Sequence, residues 1–161
     1  MSDDNELVLT SPTSETRISR RTAPTLIQLG ARLVPSDGRF HPRLAAEYIR
    51  DHGGRTRWIP MGELAKVFFS GNTPHNKRQM RHRLFLVWRE VLGLGHLLVV
   101  ETDGRSGAAL SCKIYDPHST EERQYLQARL ERMEKQRFLK AEQFEKARAL
   151  AECLDQKVAT E

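Results

Sequence analysis

The sequence predicts an α+β fold that is mainly helical, with one small β-hairpin and a long C-terminal helix. Three features carry that reading. Between Pro42 and Val91 many apolar residues recur every three or four positions, the spacing of a buried helical face. On either side of "TDGRSG" the stretches "HLLVVE" and "AALSCKIY" have the composition of two strands paired around a turn. Beyond Pro117 the chain has no Gly or Pro and is dense in Glu, Lys, Arg, Gln, Ala and Leu, which are good helix formers.

The elements follow in order. Residues 1–24, rich in Ser, Thr, Asp and Arg, predict a flexible N-terminal arm. "TLIQLGARLV" at 25–34 is apolar enough for a short helix or a strand, and Gly30 weakens either choice, so both stay open. Pro42 marks a helix start, Leu44, Ala45, Tyr48 and Ile49 share one face, and Gly53-Gly54 gives the stop. "RTRWIP" is a short extended piece closed by Pro60. "MGELAKVFF" is a second helix with Leu64, Val67 and Phe68 inward and Gly71 as its cap. After the turn cluster "GNTPHN" a third helix begins near Lys77 and carries Met80, Leu84, Val87, Trp88 and Val91 on one face up to Gly93. With the hairpin, these elements make a domain spanning 25–117.

The tail, residues 118–161, opens with Ser119 and Glu122 at capping-box spacing. Its apolar stripe runs through Leu126, Leu130 and Met133, then Phe144, Ala147, Ala151, Leu154 and Val158, and loses phase at Arg137 and Lys140. The tail is therefore one imperfect coiled-coil strand or two shorter helices folded at the break. Either way the stripe needs a cover, and homodimerisation or a helical protein partner supplies one.

Composition bounds the function. The chain has 161 residues, 39% of them hydrophobic and 29% charged, which suits one soluble domain with extensions. No apolar run approaches the roughly 18 residues of a bilayer span, and the N-terminus lacks the layout of a secretory signal, so the expectation is a cytoplasmic protein with no membrane association. Cys112 and Cys153 are far apart and suggest neither disulfide nor zinc. The six histidines form no metal-ligand spacing, no glycine loop leads into a helix, and no nucleophile has a base nearby. The expectation is no cofactor, no metal and no catalysis.

The formal net charge of +5 is concentrated in the middle of the chain, where residues 36–117 carry thirteen Lys/Arg against eight acids. Within 75–89 lie Lys77, Arg78, Arg81, Arg83 and Arg89 with no acid. Such a local field attracts polyanions.

The order of elements over residues 42–116 resembles the winged helix-turn-helix domain, a nucleic-acid-binding module. The resemblance is architectural, with "MGELAKVFFSGNTPHNKRQMRHRL" as the helix-turn-helix and "ETDGRSGAA" as the wing. It implies sequence-specific binding of double-stranded DNA by a prokaryotic or phage transcriptional regulator, acting as a dimer. Arg78, Gln79, Arg81 and His82 would read bases, while Lys77, Arg83, Arg89 and Arg105 would mostly grip phosphate. Thr73, His75 and Asn76 have donors for backbone or bases, and Arg55 and Arg57 flank the short strand as a possible extension of the basic surface. Two other readings compete. One is a non-catalytic adaptor in a replication, segregation, repair or defence complex, docking protein through the same domain and tail. The other, RNA binding, is disfavoured by the scarcity of aromatic residues among the basic positions. No segment is left over for a separate effector-sensing domain.

Overall fold

The computed structural model describes residues 23–135 and 140–161, so most of the N-terminal arm and Arg137 lie outside the described residues. The open choice at 25–34 falls to strands. β1 (Leu26–Leu29) and β2 (Arg32–Pro35) form an antiparallel hairpin. Gly30 lies at its turn with φ +64, a conformation that glycine adopts without strain.

α1 (Pro42–His52) begins on Pro42 and buries Leu44, Ala45, Ala46, Tyr48 and Ile49. Gly53 ends it because the chain turns back tightly, and a Cβ there would meet Ile59 Cδ1 at 2.8 Å and the Arg57 carbonyl at 2.9 Å. β3 (Ile59–Pro60) follows, then α2 (Met61–Phe69). The cap of α2 is not Gly71. Ser70 itself takes the left-handed conformation, with φ 65, because the helix stops one residue earlier than the glycine.

The predicted third helix is two helices. α3 (Pro74–His82) starts at Thr73, whose Oγ1 accepts the Asn76 N–H at 3.2 Å. α4 (Leu84–Gly93) follows after a break at Arg83, where φ is −103 and ψ is 1. Neither Pro nor Gly causes the break. The Arg83 N–H donates to Met80 O, and the carbonyl it would have used in an unbroken helix, Gln79 O, accepts from the Arg83 guanidinium at 3.3 Å. A side chain has replaced the backbone donor in the ladder. Spacing alone does not reveal this, because Met80, Val87, Trp88 and Val91 are all buried and stay in phase across the break.

β4 (Leu98–Thr102) and β5 (Ala109–Ile114) form the expected hairpin. β3 pairs with β5, giving an antiparallel sheet in the order β3-β5-β4.

The tail resolves as two helices, α5 (Thr120–Lys135) and α6 (Ala141–Ala159). α6 runs back along α5, since its far end returns to the sheet: the Tyr115 hydroxyl donates to Asp155 at 2.7 Å, and His118 meets Glu161 at 2.7 Å. The stripe read as a dimer or partner surface is largely internal. Leu126, Leu130, Met133, Phe144 and Ala147 are buried in the same core as α1, α2, α4 and the sheet, while Ala151 and Leu154 pack on its edge and Val158 is half-exposed. The boundary at 117/118 is therefore no boundary in packing. The cover that the stripe requires comes from the chain itself.

Half of the predicted capping box forms, with the Glu122 N–H donating to Ser119 Oγ at 3.2 Å. The Glu122 carboxylate goes elsewhere, to Lys113 Nζ at 2.7 and 2.8 Å and to the Asp116 N–H at 2.9 Å. Lys113 is 2% exposed, its ammonium 5.5 Å from the centre of the Trp58 ring. An ion that deep requires its partner.

Candidate nucleic-acid interface

The fold divides the candidate donors between Thr73 and Arg83 into spent and free. Asn76 is spent. Its Nδ2 donates to Phe69 O at 2.9 Å and Gly71 O at 3.2 Å, satisfying carbonyls at the end of α2 and fixing the turn between α2 and α3. Its amide donors are thus committed within the fold. Gln79 Oε1 accepts from the Arg83 guanidinium at 2.6 Å, and Gln79 Nε2 lies 3.4 Å from His75 Nε2.

Arg83 lies beside the stacked rings of Phe40 and Phe69, 5.7 and 5.3 Å from their centres. It props the helix break instead of standing in solvent as a phosphate ligand. Arg89 is also half-buried. Its guanidinium lies 5.3 Å from the Phe85 ring centre, and its Nε is buried without a hydrogen-bond partner among the described residues. Thr73 Oγ1 is engaged as the α3 cap.

Arg81 has a different task. Its Nε donates to Ala109 O at 3.1 Å, across 28 positions of sequence, and so ties α3 to the first residue of β5. The basic helix and the hairpin thereby stand side by side. His75, Arg78 and His82 are exposed; Lys77 is half-buried, its stem passing over Gly62, where an added Cβ would lie 3.6 Å from Lys77 Cε. At the hairpin tip Arg105 is exposed, and the turn is set by Asp103, whose Oδ1 accepts the Arg105 N–H at 2.8 Å. Among the described residues no ion pair engages Lys77, Arg78, Arg81, His82, Arg83, Arg89 or Arg105.

Of the two flanking arginines, Arg55 makes no hydrogen bond or ion pair among the described residues. Arg57 pairs with Glu63, which also accepts from the Tyr48 hydroxyl at 2.5 Å. Burial and the Glu63 contact push the Tyr48 hydroxyl pKa upward, and the Arg57 and Tyr48 hydrogen bonds hold the Glu63 carboxyl below its ordinary range despite partial burial.

Between α3, α4, the hairpin and α5 lies a cleft of about 530 Å³. Leu84, Phe85, Trp88 and Val100 line it, with Tyr125 from α5 and His82 from α3, and Arg78, Arg81 and Arg129 contribute the charged side chains. Arg129 escaped the sequence reading. It lies 48 positions beyond Arg81 in a tail read as a separate unit, and only the packing of α5 brings it here.

Other chemistry is sparse. Burial pushes the Cys112 thiol pKa up to about 12, which keeps it protonated and inert. Among the described residues no group of three or more His, Cys, Asp or Glu is placed to hold a metal ion, and no helix is long and apolar enough to cross a membrane. No protein family, curated protein or solved structure matches the chain significantly.

Proposed function

We propose that the chain is a winged-helix module that binds double-stranded DNA in a sequence-dependent way, most simply as a transcriptional regulator. The observation that carries the reading is the Arg81 bond to Ala109, which holds an unneutralised basic helix beside a hairpin with an exposed arginine at its tip. The topology supports it as well: helix, short strand, three further helices and a hairpin, with the short strand paired to the returning strand. In this reading Arg78 and His82 meet base edges, with His75 beside them, while Lys77 and Arg105 meet phosphate. Asn76, Gln79, Arg81 and Arg83 keep the reading helix in place. Dimerisation through the tail is no part of the proposal, because the stripe that suggested it is spent internally.

The test is titration of the full chain against a randomised duplex pool at two salt concentrations, sequencing what stays bound, beside Arg78→Ala/His82→Ala. An enriched motif lost in the variant supports the reading. Failure to retain duplex at low salt overturns it. Retention without a motif favours the adaptor reading, which has its own observation: Ile27 and Leu29, 40% and 61% exposed on the first hairpin, offer apolar surface to a protein.

A further inference from the structure

The cleft beside α3 has features that a DNA-gripping surface does not need. Phosphate contacts require cations that solvent can reach, and an apolar floor adds nothing to them. Here the floor is apolar and aromatic, built from Phe85 and Trp88 of α4 and Tyr125 of α5. Its volume, about 530 Å³, falls in the range of small-molecule sites. Around it stand three guanidinium groups from two distant segments, Arg78, Arg81 and Arg129, and among the described residues no acidic side chain lines the cleft.

The donors of these arginines are largely unspent. Arg81 uses Nε on Ala109 O, and among the described residues its two terminal nitrogens make no hydrogen bond. Arg78 and Arg129 make neither hydrogen bond nor ion pair with the described residues. Planar guanidinium groups at the edge of an aromatic floor match a ligand with the same division, a flat apolar body and an anionic head.

We propose that this cleft is a binding site for a small organic anion, a carboxylate, sulfonate or phosphate carried on an aromatic body. The ring rests on the floor of Phe85, Trp88 and Tyr125, and Arg129 with the terminal nitrogens of Arg81 holds the head. The site needs no separate effector domain, because α5 closes it against the hairpin side. Arg78 and His82 line both this cleft and the proposed DNA surface, whereas Arg129, Tyr125 and the floor lie outside the proposed DNA contacts and can be tested apart from them.

The test uses two fluorescent probes on the full chain without nucleic acid: 1-anilinonaphthalene-8-sulfonate and N-phenyl-1-naphthylamine, the same ring system without the sulfonate. Trp58→Phe leaves Trp88 as the only tryptophan reporter. The expected result is saturable binding of one sulfonate probe per chain with a change in Trp88 emission, and a neutral probe weaker by about tenfold or more, the worth of a charge-assisted hydrogen bond. Arg129→Gln should weaken the sulfonate probe by a similar factor, leave the neutral probe unchanged, and melt at the wild-type temperature. Equal affinity for the two probes, indifference to Arg129→Gln, or no saturable binding would each overturn the proposal. Loss of duplex retention with probe binding intact would sink the DNA reading alone.

Discussion

Charge is used in opposite ways at the outer side of α3 and at the seam where the tail meets the sheet. At the seam the charges are matched: Lys113 is buried on Glu122, Arg123 lies 3.6 Å from Asp155, and Asp155 accepts from the Tyr115 hydroxyl. On α3 and the hairpin tip, Lys77, Arg78, His82 and Arg105 have no ionic partner among the described residues. The comparison teaches where free energy is committed. Paired, desolvated charges fix the packing of a helix, while unpaired solvated ones contribute little to stability and keep their field for a ligand.

Removing one member of the seam should break this division most severely. Glu122→Ala leaves the Lys113 ammonium buried and alone, and should cost about 3–5 kcal/mol by denaturant unfolding. Replacing both with Met should recover much of that loss, which separates the cost of an orphaned ion from the worth of the pair.

Asn76→Ala comes next. It strips two carbonyls at the end of α2 of their donor and should cost about 1–3 kcal/mol, weakening DNA binding only through the displaced turn. A variant as stable as wild type that still lost duplex affinity would restore Asn76 to the list of contacts.

A smaller effect is set by pH. Burial, then the positive charges of Arg55 and Arg50, hold the His96 pKa below its ordinary 6.5. The unfolded chain takes up a proton near 6.5 while the folded chain still resists it, so this contribution is intact above 6.5 and is lost as pH falls toward the folded value. His118 runs the other way: Glu161 and Asp116 raise its pKa, so its contribution is present below 6.5 and fades as pH rises through the folded value. Between pH 8 and pH 5, His96→Gln should shift the change in melting temperature on acidification upward relative to wild type, and His118→Gln should shift it downward.

The smallest stability effects belong to the free cations. Lys77→Ala and Arg105→Ala should each change stability by no more than about 0.5 kcal/mol, yet each should lower the salt slope of DNA binding by about one unit. A marked loss of stability in either would place that side chain with the fold and not with the ligand.

Much of the fold was legible before any coordinate, because helical and strand periods are local. The face of Leu44, Ala45, Tyr48 and Ile49, the hairpin around "TDGRSG" and the loss of phase in the tail near Lys140 all rest on neighbours within a few positions. The candidate site was legible only in part. The cations of 77–83 are visible in the chain, but nothing local says that Arg83 turns back on Gln79 and Phe69, that Asn76 caps α2, or that Arg81 reaches Ala109.

By itself the sequence determined the α+β class, the three helical regions between Pro42 and Gly93, the last of which the structure divides in two, the helical tail, the central surplus of positive charge, and the amphipathic stripe of the tail. Tertiary structure decided what covers that stripe, which cations remain unspent, and that Arg129 stands with Arg78 and Arg81 around one cleft. The physical reason is range. Periodicity and capping act over a few residues of chain, whereas burial, ion pairing and cavity walls join side chains that only packing makes neighbours.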